Sequence, residues 1–208
     1  MSSVNLTRSR AFTLLELLVV MGIIALLLVA IVPAVNSLSK SSGRKAAIGN
    51  LLGAIEQARA QAIKDGQATY IVFPDQLPAT VQRYSYRSYA IFEDDPSNAA
   101  NTKQLTPWRS LPNGISLRSG SLNYLANTTS FSFTPMGAKA TGLFPFLKFN
   151  ANGEIDPATT RTPNAPGTTI QVGVFEGHVD SGSDKETNSS KITETISVSR
   201  LTGRATKI

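Results

Sequence analysis

Between Phe12 and Leu38 the chain carries a single ionisable side chain, Glu16, set inside the apolar run SRAFTLLELLVVMGIIALLLVAIVP (residues 9–33). Arg8 and Arg10 precede it, and the next charge is Lys40. A carboxylate in a membrane-spanning helix costs about 2–3 kcal/mol unless it is paired or lies near the interface. Glu16 therefore either snorkels to the membrane surface or meets a cation. Elsewhere the material for chemistry is thin. His178 is the one histidine and there is no cysteine, which leaves no ligand set for a zinc cluster, no thiolate and no disulfide. EGHVD, around His178, has no nucleophile elbow beside it, and neither a phosphate loop nor a dinucleotide fingerprint occurs. Glu93-Asp94-Asp95 and the pair Asp180 and Asp184 could offer oxygen ligands to calcium, but neither follows a full loop pattern, so both read as solvated turns. The chain is expected not to be an enzyme and to hold no metal and no cofactor.

The elements that position Glu16 begin with the anchor itself. Leu17 to Val35 is uncharged and matches the roughly 20 residues a bilayer core requires. It is longer than the apolar region of a cleaved secretory signal, about 7–15 residues, and the apolar run that holds it also contains Glu16. Arg8 and Arg10 favour a cytoplasmic N-terminus, whereas Lys40, Arg44 and Lys45 beyond the span compete with them. Pro33 removes a helix hydrogen bond at a cost of about 3 kcal/mol; it marks either a simple kink or a stretch that loosens. Past a soft joint of Ser39, Ser41, Ser42 and Gly43, the residues Ile48, Leu51, Ile55, Ala58 and Ala62 recur at three and four, an amphipathic helical pattern. Lys64 in its last turn and Gly66 after it read as a helix end. Unbroken, residues 12–65 would make a rod of about 80 Å.

After Gly66 the periodicity changes. Residues 68–73, 81–93, 114–117, 129–133, 144–150, 168–176 and 193–200 are rich in β-branched and aromatic side chains. FPDQLP, DDPSN, NANGEIDP, RTPNAPG and DSGSDKETNSS read as loops. The predicted fold class is α+β: a long N-terminal helix, hydrophobic in its first half and amphipathic in its second, packed on an antiparallel β-sheet domain. The segments are residues 1–11, a hydrophobic helix over 12–38, its amphipathic continuation over 39–66 and a β-rich globular domain over 67–208. Arg59 and Ala62 should lie where helix meets sheet, and Trp108 should fill the core. Tyr84 and Tyr86 should share one strand face with Tyr89 on the other. The formal charge of +6 over 208 residues falls to +4 without residues 1–11, which carry two arginines and no acid. That is too little and too dispersed to argue for nucleic acid by itself.

RAFTLLELLVVMGIIALLL resembles the processing signal of type IV prepilins and type II secretion pseudopilins. The resemblance implies that residues 1–11 are a leader, cut by a prepilin peptidase between Ala11 and Phe12, that Phe12 becomes N-methylated, and that Glu16 is the family's glutamate. Ala11 departs from the usual glycine before the cut, which implies slower processing. Cleavage would expose an α-amino group with a pKa of about 8. In a filament Glu16 can then face the ammonium of a neighbouring subunit in a low dielectric, where either charge left alone is heavily penalised. Pro33 lies where related pilins loosen on assembly. IEQARAQAIKDGQATYIVF, PWRSLPNGISL, LKFNANGEID and ISVSRLTGRATKI are similar, in that order, to segments of the minor pseudopilin H and FimT-type branch, leaving 119–142 and 156–168 without a counterpart.

The resemblance implies a pilin-like fold and a structural minor pseudopilin of a type II secretion or type IV pilus filament. Its partners would be prepilin peptidase, other pseudopilins or pilins, the inner-membrane assembly platform and membrane lipid. The location implied is a bacterial inner membrane, with the N-terminus cytoplasmic and the domain periplasmic, and then the filament. An alternative is a DNA-binding minor pilin of a competence pilus, whose phosphate contacts would come from Arg200, Arg204 and Lys207. A membrane-anchored enzyme or receptor is a third reading, but the sequence offers it no site.

Overall fold

The computed structural model of the chain describes residues 13–134, 140–160, 168–180 and 182–208, with side chains left out at 30–41, 98–100, 140 and 189–191. Its contacts divide it into two compact units that meet between Ser41 and Ser42. One helix, α1 (Leu14–Asp65), crosses that boundary and runs through position 33 without a break. It ends where expected. Gly66 takes a left-handed conformation (φ +66) and its N–H donates to the carbonyl of Ala62 at 3.0 Å, with Lys64 in the last turn beside the helix dipole.

Among the described residues every strand pair is antiparallel. One sheet has the order β3-β2-β1-β8, from β1 (Thr69–Val72), β2 (Ser88–Asp95), β3 (Asn98–Gln104) and β8 (Phe146–Phe149), with β4 (Arg109–Ser110) pairing the start of β2. The second has the order β11-β10-β9-β5, from β5 (Ile115–Leu117), β9 (Thr169–Asp180), β10 (Lys185–Ser199) and β11 (Ala205–Lys207). A ribbon of β6 (Ser130–Phe133) and β7 (Ala140–Leu143) stands apart from both, and a one-turn helix, α2 (Ser119–Leu122), lies between β5 and β6.

The amphipathic half of α1 is the element both sheets share. Ile48, Leu51, Ile55, Ala58 and Ala62 are buried against Ile71, Ile91 and Leu147 of the first sheet and Val172, Val174, Ile196 and Val198 of the second. Because strand side chains alternate, the opposite face of the first sheet presents Tyr70, Val72, Phe92 and Phe146. Phe131 and Phe133 of the ribbon, with Phe144, cover that face. The rings meet edge-on or tilted at centroid distances of 5.1–5.8 Å, as in Phe92–Phe131, Tyr70–Phe146 and Phe131–Phe146. Trp108 is half-buried at the rim of this aromatic layer, 4.8 Å from the Phe133 ring and 5.7 Å from Phe92, and its indole N–H donates to the Ser132 carbonyl at 3.2 Å. It borders the core rather than filling it, a departure from the expected core plug.

The tyrosine-rich segment departs from the expectation of a single strand. Gln82–Tyr84 form a 3-10 turn and Tyr86 sits at φ +58, so β2 starts only at Ser88. Tyr86 and Tyr89 both point into the helix-facing core, while Tyr84 packs on the aromatic layer. What offsets the strain at Tyr86 is anchoring: its N–H donates to Pro74 O at 2.8 Å, its hydroxyl donates to Asp184 at 2.5 Å, and its ring is fully buried. The polar stretch DSGSDKETNSS also departs from expectation, being a turn followed by the first half of β10. Lys185 pairs with Asp180 and Asn188 with Gly177, and a bulge follows before Thr193. Backbone ladder bonds carry this hairpin, which a search for apolar alternation passes over. For the same reason β3, with the sequence NAANTKQ, was not foreseen.

Arg59 lies at the helix–sheet junction, as expected. Its Nε donates to the Thr202 carbonyl at 2.6 Å, and the Glu56 carboxylate accepts from the Ala205 N–H at 2.8 Å, so the turn before β11 is clasped to α1. Gly203 (φ +65) fits that turn because a Cβ there would come within 2.0 Å of the Gly153 carbonyl oxygen. Gly203→Ala should therefore cost about 2 kcal/mol or more in chemical unfolding of the full chain. Gly182→Ala, with open space at its Cβ, should change stability by no more than about 0.5 kcal/mol.

Candidate functional site

The sequence TLLE builds the site around Glu16 from local rules. Thr13 precedes the helix, and its carbonyl accepts the N–H of Leu17 at 3.2 Å. Its hydroxyl accepts the Glu16 N–H at 3.2 Å, while the Glu16 carboxylate accepts from both the N–H and the hydroxyl of Thr13 at 3.4 Å. This is a reciprocal capping box, in which a threonine and a glutamate three residues on satisfy each other's backbone donors. The negative charge also sits at the positive end of the helix dipole. Sequence reasoning singled out Glu16 and passed over Thr13, although T-x-x-E ahead of an apolar run is a capping signature. All of the polar partners of Glu16 among the described residues lie on Thr13.

The flank of this cap is bare. Every residue from Thr13 to Val29 is exposed, and the large apolar side chains between Leu14 and Val29 are 46–85% accessible. Apolar surface continuous over several turns does not remain in water; it needs lipid or other helices. Among the described residues no helix is long and apolar enough to cross a membrane, the described apolar stretch closing at Val29. The side chain of Pro33 falls outside the described residues, as do Ala11 and Phe12.

A second charged cluster lies in the domain. Arg44, on α1 and buried, donates from one terminal nitrogen to Glu176 of β9 and from Nε to Glu194 of β10 at 3.0 Å. Lys207 of β11 approaches the other oxygen of Glu194 at 2.8 Å. Two cations and two carboxylates thus neutralise one another where four elements converge. Burial pushes the Glu194 carboxyl up, but hydrogen bonds and charge from Lys207 and Arg44 outweigh it and hold the group below its ordinary value.

The three cations proposed for phosphate contact are not equivalent. Lys207 is committed to Glu194, Arg200 is half-buried with Nη2 donating to the Thr160 hydroxyl at 3.4 Å, and the Arg204 side chain is exposed. His178 is exposed on β9, 4.0 Å from Asp180. Of the acidic runs, Glu93 is buried beside Lys103, Asp94 accepts from the Tyr70 hydroxyl at 2.8 Å, and Asp95 caps the turn to Ser97. Asp184 borders a polar cleft of about 280 Å³ with Asp75, Gln76, Asn123 and Asn127. Among the described residues no group of three or more acids or histidines is placed to hold a metal.

A greasy helix capped by an acid, feeding an amphipathic helix that two antiparallel sheets share, defines the type IV pilin-like class. Residues 47–174 match the family model of the type II transport protein GspH, and residues 6–32 match the prokaryotic N-terminal methylation motif. The first match covers more than half of the sequence, and the chain belongs to the GspH family, a type IV pilin-like pseudopilin of type II secretion. No curated protein and no solved structure matches it.

The Glu194 geometry gives a pH dependence. A carboxyl depressed in the folded state contributes stability that is fully present above its unfolded value, about 4.5, and is lost as pH falls through its lower folded value. Thermal midpoints of the wild type should fall between about pH 5 and pH 3, and Glu194→Gln should flatten part of that fall. An equally steep fall in the variant would show that Glu194 is not its source.

Proposed function

We propose that the protein is a structural minor pseudopilin that enters an envelope-spanning secretion filament through its N-terminal helix and has no catalytic activity. In this reading prepilin peptidase removes residues 1–11, Phe12 is methylated, and residues 12–38 hold the subunit in the inner membrane. The domain over 67–208, carried on the amphipathic stretch 39–66, then faces the periplasm. The assembly platform and the other pseudopilins are its partners, with Pro33 in the stretch that adapts on assembly.

The observation that carries this reading is the position of Glu16. The methylation motif spans 6–32, and within it the one acid sits at the mouth of a bare apolar helix, its side-chain partners among the described residues all on Thr13. In water such a side chain would need nothing more. Beside lipid or other helices, two hydrogen bonds of 3.4 Å give the carboxylate no counter-charge, and a neighbour's α-ammonium is the cation that processing would supply. Transfer of Glu16 from its own cap to that ammonium would make subunit register and charge pairing one event. Of the three cations behind the competence alternative, Lys207 and Arg200 are already engaged within the domain, which weakens that reading.

Intact-mass analysis of the protein isolated from membranes tests the processing step. The expected species begins at a methylated Phe12. A chain that retains Met1, or one cut beyond the apolar run, would contradict the reading.

A further inference from the structure

Arg44 is the first buried residue of α1 among those described: Ser42 is exposed and Gly43 half-buried, and Ala47, Ile48 and Leu51 are buried after it. The first buried side chain of the described helix is therefore a charge held by two carboxylates, with the apolar seam following. That seam is smooth. Ala47, Ala54, Ala58 and Ala62 supply half or more of its positions beside Ile48, Leu51 and Ile55. Apolar contact is non-directional, and alanine ridges are low, so such a face resists rotation and axial slip weakly. A guanidinium forked onto two carboxylates of neighbouring strands fixes both. Glu194 is fixed in turn by Lys207, whose strand follows the turn clasped by Glu56 and Arg59.

We propose that the Arg44–Glu176–Glu194–Lys207 cluster is a register lock. It sets the rotation and height of α1 on the two sheets and is the point at which loosening of the helix, advancing from its N-terminal side, stops. The inference deepens the filament-subunit reading, which supplies its purpose: a subunit whose membrane half rearranges needs a fixed boundary beyond which the domain is undisturbed. The lock itself is a property of the single folded chain. Burial makes it a device of specificity more than of stability, because replacing a buried ion cluster wholesale with neutral groups is often close to neutral in free energy, whereas removing one partner strands a charge.

Hydrogen–deuterium exchange of the full chain in detergent micelles tests the lock independently of any filament. Arg44→Lys keeps the charge and loses the fork. The triple variant Arg44→Met, Glu176→Gln and Glu194→Gln removes the three mostly buried charges, leaves Lys207 with about half of its side chain exposed to solvent, and protects the fold if the single change harms it. In both, amides of residues 44–52 should exchange about tenfold faster while those of 55–65 stay within about twofold of the wild type. In the triple variant the thermal midpoint should also hold. Unchanged exchange over 44–52, or an equal rise along the whole of 44–65, would overturn the lock and assign register to the apolar seam alone. Neither result bears on processing at Phe12, so the failure of this inference is distinguishable from failure of the secretion reading.

Discussion

The Glu16 carboxylate is the constraint that governs the N-terminal half of the helix. A helix that is apolar on all sides from Leu17 to Val29 has to be covered, and whatever covers it excludes the water that would otherwise solvate the charge at its start. Within one chain the capping box with Thr13 meets the immediate need. It satisfies backbone donors at the helix N-terminus and uses the dipole to hold the carboxylate. A cap of this type contributes on the order of 1 kcal/mol, less than the cost of an unpaired acid among lipids or helices. In the proposed reading the balance is met by a neighbour's α-ammonium, which processing at Phe12 would expose within the region that matches the methylation motif.

The domain solves a different problem with the same helix. Its second half is narrow and alanine-rich, which lets two sheets approach it at once, and both sheets use it as their common core. The first sheet is then buried on both faces, because the aromatic ribbon caps the side turned from the helix. Burial also accounts for the state of Tyr70. Its hydroxyl is pushed well above the ordinary phenol range, first by desolvation and then by its bond to Asp94, so it stays neutral and donates. The buried charged groups among the described residues, Arg44, Glu93 and Glu176, are each paired with an opposite charge, and the Arg44 cluster is the largest of these sets.

What the sequence made legible followed from strong periodicity. The long helix, its end at Gly66, the junction at Arg59 and the strands around Tyr70, Phe131 and Phe149 all rest on spacing or on a residue with one conformational use. The misses share a physical cause. β3 and the outer half of the β9–β10 hairpin are polar segments stabilised by backbone pairing, so their side chains advertise solvent. Tyr86 looked like a strand residue because tyrosine favours strands, yet contacts with Pro74 and Asp184, distant in sequence or fixed by a turn, hold it at positive φ. The aromatic layer was invisible for a similar reason, since its two faces come from segments about sixty residues apart in the sequence, Tyr70 and Phe131 among them. At the site the sequence marked Glu16 by its charge but hid Thr13, which became significant only when the cap was seen to close. The Arg44 cluster joins residues 150 and 132 positions apart and left no local signature.

The measurement that bears most directly on the account is the fate of Glu16→Ala in cells that assemble the filament. Membrane insertion, removal of residues 1–11 and protease resistance of the domain should match the wild type, while the variant should be absent from isolated filaments. Incorporation of Glu16→Ala at the wild-type level would contradict the account, because a helix without that carboxylate would then have found its place among its neighbours without any charge to pair.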